Sequence, residues 1–171
     1  GGGPIYGYGQ DENSIANKAM SLETLSDALS KTKLGKETKF DFIGFDACLM
    51  GSIEVAYALK DNANYLIASE ELEPGAGWNY MFLENIKEET TTKEVGQNII
   101  DEYFDYYETY NYKGNLTLSL IDLQEVEGLI TEVDSLFSKT DGDINVNTFS
   151  KYARKLTRKT VFGNTGRSTS A

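Results

Sequence analysis

Residues 40–50, FDFIGFDACLM, constrain the fold most, because they join a buried-strand pattern directly to a helical pattern. The first half is apolar and aromatic and is interrupted only by Asp41 and Gly44, which is typical of a strand buried on both faces of a parallel sheet. Apolar residues then recur at helical spacing over residues 53–59. Cys48, the only cysteine of the chain, is therefore predicted at a strand-to-helix junction, where open α/β sheets place reacting groups.

Two interpretations of Cys48 follow from this position. A single cysteine beside an apolar run is commonly a small buried hydrophobic residue. Alternatively, Cys48 is a nucleophile whose thiolate is stabilised by the positive end of the helix that follows. A cysteine hydrolase usually also needs a histidine as base and acid, and this chain contains no histidine.

Asp46 stands two residues before Cys48, and residues i and i+2 of a strand point to the same side. The sequence therefore predicts a carboxylate that faces the same cleft as the thiol. A neighbouring negative charge disfavours a thiolate, so Asp46 is better suited to receive a cationic group of a substrate than to activate Cys48. The alternative is that Asp46 caps the following helix or accepts hydrogen bonds from loop amides.

A second buried-strand pattern over residues 65–69 leads into an acidic loop over residues 70–80. The loop follows the carboxyl end of a neighbouring parallel strand, so it is expected to lie beside Cys48. Glu73 adds negative charge there, and Trp78 offers a flat face to a long cationic side chain. The functional interpretation is the wall of a specificity pocket. The alternative, which these residues favour when taken alone, is an acidic surface loop whose Trp78 belongs to the core.

Two motifs, FDACLMGS at residues 45–52 and ASEELEPGAGWNY at residues 68–80, resemble the catalytic core of the clostripain family of cysteine peptidases. That family shares the caspase-like fold with gingipains, legumains and caspases. The resemblance implies an α/β protein, a caspase-haemoglobinase-like three-layer sandwich with a mostly parallel sheet. It also implies an endopeptidase that cuts after Arg or Lys with a His-Cys dyad, in which Cys48 is the nucleophile and Asp46, Glu73 and Trp78 bind the P1 side chain.

The catalytic histidine of the family lies in a His-Gly motif roughly one βα unit before the cysteine. Residues 1–9, GGGPIYGYG, are similar to the segment that directly follows this histidine. We therefore expect residues 1–171 to form a single domain, a fragment or processed portion of a longer peptidase whose histidine is supplied from upstream. The Gly1 amide would then join that of Cys48 in holding the oxyanion. The competing class is a pseudopeptidase module that binds basic peptides without cutting them.

Family members that process themselves cut at a basic residue between the histidine and the cysteine, which makes Lys18 a candidate maturation site. The simpler interpretation of Lys18 is a solvated lysine. Some members depend on calcium, and residues 141–145, DGDIN, mimic the start of a calcium loop. This segment lacks the glycine at the sixth position and the distant glutamate, so a plain turn is favoured. No metal ligands are predicted, and calcium is the one cofactor that the resemblance leaves open.

A net charge of −11 argues against nucleic acids and anionic membranes as partners, since both would be repelled. The same charge attracts basic polypeptides, in keeping with substrates that carry basic P1 residues. No run is long and apolar enough to span a bilayer. The family resemblance implies a bacterial, secreted protein located outside the cell or in its envelope.

The remaining elements are predicted from periodicity and capping residues. They are a helix over 22–29 after an N-cap at Ser21, a long helix capped by Thr92, a strand over 116–122, a helix over 126–137 behind an acidic capping box of Asp122 and Glu125, and a helix over 147–158.

Overall fold

A computed structural model describes residues 2–9, 13 and 19–139 of the 171-residue chain. These residues form an α/β structure in which helices pack against a central sheet. The turn predicted at 141–145 and the helix predicted over 147–158 lie outside the described residues.

The strands and helices alternate along the chain. They are β1 (Gly2–Gly3), β2 (Gly7–Tyr8), α1 (Leu22–Ser30), α2 (Lys33–Glu37), β3 (Phe40–Gly44), α3 (Ile53–Leu59), β4 (Ala63–Ala68), α4 (Thr92–Thr109), β5 (Ser119–Asp122) and α5 (Val126–Lys139), with 3-10 turns at Tyr80–Asn85 and Leu123–Glu125.

The central sheet has the strand order β3-β4-β5. Strands β3 and β4 run parallel, with Gly44 opposite Ile67, and β4 and β5 run antiparallel, with Leu66 opposite Ile121. The strand predicted over residues 116–122 is present as β5, but it begins only at Ser119. Within the described residues the sheet thus contains one parallel and one antiparallel pair, whereas a mostly parallel sheet was expected.

Helices cover the sheet on both faces, because successive residues of its strands point to opposite sides. Leu66 packs into a core shared with α1, α3 and α5. The next residue, Ile67, packs into a second core formed with α4 and the Tyr80–Asn85 turn. The second core is rich in aromatic side chains: Trp78, Phe82, Tyr103 and Tyr107.

The N-cap of α4 is Thr91, one residue before the predicted Thr92. Thr91 Oγ1 accepts from the Glu94 amide at 3.3 Å, and the Thr91 amide donates to Glu94 Oε2 at 2.8 Å, which completes a capping box. The prediction was wrong by one residue because both threonines can cap, and only Thr91 has glutamate three residues later.

The acidic capping box predicted from Asp122 and Glu125 is also corrected. Asp122 Oδ1 accepts from the Gln124 amide at 3.0 Å and caps the Leu123–Glu125 turn instead. Helix α5 begins after this turn, so Glu125 precedes its first residue.

The N-terminal hairpin of β1 and β2 lies against the segment that follows β3. Tyr8 exchanges backbone hydrogen bonds with Met20 at 2.9 and 3.0 Å, and its ring meets Phe45 edge-on with the ring centres 5.1 Å apart. Gly2 lies so close to the turn at residues 48–50 that an added Cβ would be 3.1 Å from the Cys48 carbonyl oxygen. The hairpin therefore borders the predicted reaction site.

Among the described residues, none of the helices has the length and apolar character needed to cross a membrane.

Candidate active site

Cys48 lies in the turn that connects β3 to α3, and its side chain is partly exposed. Its sulfur contacts the backbone of Glu73, where the amide donates to Sγ at 3.3 Å and the carbonyl oxygen lies 3.9 Å away. Helix α3 begins only at Ile53, behind its N-cap Ser52. The positive group that reaches the sulfur is therefore the Glu73 amide, whereas the sequence suggested the helix end.

The turn after Cys48 is tied to the segment that follows β4. The Leu49 amide donates to the Glu71 carbonyl at 3.1 Å, and the Gly51 amide donates to the Ser69 carbonyl at 2.8 Å. Leu49 has a φ of 61°, a left-handed conformation that branched side chains rarely adopt. Such backbone strain persists only where surrounding bonds enforce it, and here the two hydrogen bonds do so.

Asp46 accepts two hydrogen bonds from the acidic loop, both on Oδ2. The Trp78 amide and the Tyr80 hydroxyl each donate at 3.1 Å. Gly77 has a φ of 69°, and an added Cβ there would be 2.6 Å from Asp46 Oδ1. Asp46 thus accepts from a loop amide, as the alternative interpretation of the sequence held, and Gly77 approaches its carboxylate closely while Asp46 remains exposed.

The Glu73 side chain lies close enough to Asp46 for the two carboxyl groups to interact. Its Oε1 accepts from the Trp78 indole N–H at 3.2 Å. Burial raises the pKa of Glu73, the hydrogen bond from Trp78 lowers it, and the negative charge of Asp46 raises it, which together bring the pKa to about 7. Glu73 is therefore partly protonated near neutral pH, next to the Asp46 carboxyl group.

Trp78 is a core side chain, with only 7% of its surface exposed. Its six-membered ring covers Gly44, where an added Cβ would be 2.9 Å from Trp78 Cη2. This position confirms the alternative interpretation, in which Trp78 belongs to the core. The faces of its ring are packed against protein, and its indole N–H donates to Glu73.

Two other predicted site residues, Gly1 and Lys18, lie outside the described residues. Within the described ranges, no group of three or more His, Cys, Asp and Glu side chains could hold a metal ion. The structure therefore brings together Cys48, Asp46, Glu73 and the indole N–H of Trp78.

Sequence reasoning missed two contacts of this site. The first is the Tyr80 hydroxyl on Asp46, and the second is the Glu73 backbone on the Cys48 sulfur. Tyr80 ends the second motif two residues after Trp78, so the motif itself carried that signal. The backbone contact has no sequence signal, because it depends on how the loop closes.

Comparisons with known proteins agree with the resemblance seen in the sequence. The model of the clostripain family, peptidase C11, matches residues 6–167. A B. fragilis cysteine protease matches with a TM-score of 0.57 and 30% identity, over 71% of this chain and 49% of that one. A clostripain from Bacteroides thetaiotaomicron, solved with the peptide inhibitor BTN-VLTK-AOMK, matches with a TM-score of 0.58 and 31% identity, over 72% and 51%.

A secreted C11 cysteine protease from the same organism, iotapain, matches with a TM-score of 0.60 and 30% identity, over 72% of this chain and 33% of that one. The chain thus spans about half or less of the length of these solved relatives. No curated protein matches it.

We expect Gly77→Ala to displace the Asp46 carboxylate while the fold is retained. The new methyl group would meet both carboxylate oxygens, and the positive φ would be strained. The matched control is Gly75→Ala in the same loop, where an added Cβ meets nothing within 4 Å. The measurement is binding of a peptide with a basic P1 residue, with circular dichroism to verify folding. Equal binding by the two folded variants would contradict this geometry.

Proposed function

Because the chain belongs to the clostripain family, we propose that it is the nucleophile-bearing part of a cysteine endopeptidase that cleaves after arginine or lysine. The observation that carries the proposal is the pair of carboxyl groups, Asp46 and Glu73, in a pocket beside the Cys48 thiol. The complete catalytic domain would be a caspase-haemoglobinase-like three-layer sandwich with a mostly parallel sheet. Its histidine would come from upstream of this chain, and its site of action would be extracellular or in the cell envelope.

The proposed reaction is acyl transfer to the thiol. The P1 cation lies against Asp46 and Glu73, and the Cys48 thiolate attacks the P1 carbonyl carbon to form a carbon–sulfur bond. The carbonyl oxygen becomes an oxyanion, which the amides of Cys48 and Gly1 hold. The histidine protonates the leaving amine as the carbon–nitrogen bond breaks. Water then hydrolyses the thioester and releases the thiol.

Two observations support these assignments. A Cβ added at Gly2 would lie 3.1 Å from the Cys48 carbonyl oxygen, so the N-terminal hairpin borders the turn that carries Cys48. The inhibitor solved with the B. thetaiotaomicron clostripain contains the peptide VLTK, which ends in lysine. In this chain Trp78 would support the pocket from the core side by holding Glu73 through its indole N–H.

The second candidate function is a pseudopeptidase module that binds basic peptides. It is favoured by the absence of histidine from this chain and by the engagement of the Cys48 sulfur with the Glu73 backbone. Peptide binding without turnover by the full-length protein would select this alternative, and turnover abolished in Cys48→Ala would exclude it.

We expect Asp46→Asn to lower the preference for basic over neutral P1 residues by about 10- to 100-fold, the effect of removing one charged hydrogen-bonding partner. The measurement is kcat/KM on matched Arg, Lys and neutral P1 reporter peptides, with Cys48→Ala as the inactive control. Asp41→Asn, an exposed carboxylate of β3, is the matched charge control. Undiminished Arg/Lys selectivity in Asp46→Asn would show that the cation binds elsewhere.

The preference for basic P1 residues should increase with pH. Since the pKa of Glu73 is about 7, its carboxyl group is mostly neutral at pH 6 and mostly charged at pH 8. The ratio of kcat/KM for basic over neutral reporters should therefore rise by about tenfold over this interval. Using the ratio cancels the titration of the catalytic groups, which both reporters share. The Glu73→Gln variant should have a flat ratio, and a wild-type slope in that variant would refute the assignment.

We expect the active protein to be cleaved after Lys18, because this basic residue precedes Cys48 in the manner of self-processing relatives. The intact mass of active full-length protein should show two chains, and Lys18→Ala should show one. A wild-type protein that is active and uncleaved would end this proposal.

A further inference from the structure

Two buried side-chain polar atoms in the described part of the chain have no hydrogen-bond partner: Glu73 Oε2 and Tyr103 Oη. Buried polar atoms are nearly always paired, and leaving one unpaired costs about 1–3 kcal/mol. The two atoms are chemically complementary, since a phenol hydroxyl donates and a charged carboxylate oxygen accepts.

Tyr103 lies behind the carboxyl pair, on α4. Its side chain is fully buried and shares the second core with Trp78. Its ring meets that of Tyr107 edge-on at 5.1 Å, and the Tyr107 hydroxyl donates to the Gly77 carbonyl at 2.9 Å. Helix α4 is thus fixed to the loop that closes over Asp46.

The Tyr103 hydroxyl lies within the electrostatic influence of the pocket. Burial raises the pKa of Tyr103, and the negative charge of Glu73 is the next largest cause. The hydroxyl therefore keeps its proton throughout the neutral range and remains a hydrogen-bond donor. Tyr103 is held in the core while the Glu73 side chain is only half-buried, so the carboxylate is the partner that can move.

We propose that Tyr103 is a positioning residue for the basic P1 side chain, whose hydroxyl donates to Glu73 Oε2 when a cation occupies the pocket. This inference rests on the proposed function, in which Asp46 and Glu73 receive that cation. Without a cation, Glu73 is partly protonated near neutral pH, and its Oε2 and the Tyr103 hydroxyl are both unpaired. When an ammonium or guanidinium group enters, Glu73 releases its proton to solvent, and its Oε2 accepts the hydrogen bond from Tyr103.

This arrangement makes the pocket selective for charge. A neutral P1 side chain does not favour the charged form of Glu73, so the free energy of the bond from Tyr103 is not gained. A cation allows both Oε2 and the Tyr103 hydroxyl to be paired. Trp78 and Asp46 act on the pKa of Glu73, and the charge of Glu73 in turn raises the pKa of Tyr80 in the loop and of Tyr103 and Tyr107 on α4. The Cys48 sulfur contacts the backbone of Glu73.

The test is Tyr103→Phe in the full-length protein, with Tyr106→Phe on the same helix as the matched control. We expect Tyr103→Phe to lower kcat/KM for basic P1 reporters by about tenfold at pH 7, the effect of one hydrogen bond to a charged group. The neutral reporter should be unaffected. The preference for basic P1 residues should reach half of its maximum at a higher pH, because charged Glu73 loses a hydrogen-bond donor. Activity on basic reporters should therefore recover towards pH 8.5.

Stability and binding measurements complete the test. The free Tyr103→Phe protein should be at least as stable to denaturant as the wild type, because the hydroxyl it loses is unpaired. Combined with Cys48→Ala, the substitution should weaken binding of a lysine-ended peptide, measured by fluorescence polarisation, about tenfold. The binding measurement tests the inference even if the protein has no turnover.

Three outcomes would overturn the inference. An unchanged pH midpoint and unchanged basic preference, with reduced stability, would mean that a bound water is the partner of the hydroxyl in the free protein. Equal losses on basic and neutral reporters would mean a purely structural role. A wild-type protein without basic preference would overturn the proposed function as well, so the two failures are distinguishable.

Discussion

The site depends on the pairing between the turn after β3 and the loop after β4. Two backbone hydrogen bonds, from Leu49 to Glu71 and from Gly51 to Ser69, hold these segments together beyond the ends of the strands. They fix Leu49 in a left-handed conformation and set Cys48 against the Glu73 backbone. The position of the Cys48 sulfur is therefore set by contact with a residue 25 positions later in the chain.

The same loop connects recognition to the nucleophile. Glu73 contacts the Cys48 sulfur with its backbone and the carboxyl pocket with its side chain. Asp46 holds the far end of the loop through the Trp78 amide and the Tyr80 hydroxyl. A change that loosens the loop should therefore affect both the proposed P1 recognition and the placement of the thiol.

The sequence predicted the elements that periodicity and capping encode, such as the buried β3 strand and the helix after Ser21. It also placed Cys48 and the acidic loop side by side, because parallel neighbouring strands end at the same edge of a sheet. It could not predict that β5 runs antiparallel, since the direction of a strand leaves no periodic signal. Nor could it decide between an open and a buried Trp78, because the contact with Gly44 joins residues distant in the chain.

The electrostatics of the site follow from the proximity of two carboxyl groups in a partly buried space. Both cannot be charged without cost, so Glu73 retains a proton near neutral pH. The surrounding groups, Trp78 and Tyr103, belong to a packed aromatic core and cannot rearrange to solvate the second charge. In the proposed function, a cation of a substrate would relieve this repulsion, whereas a neutral side chain of similar shape would not. The proposed selectivity would therefore originate in the unfavourable electrostatics of the free site, and it would require the rigidity that the core behind the site provides.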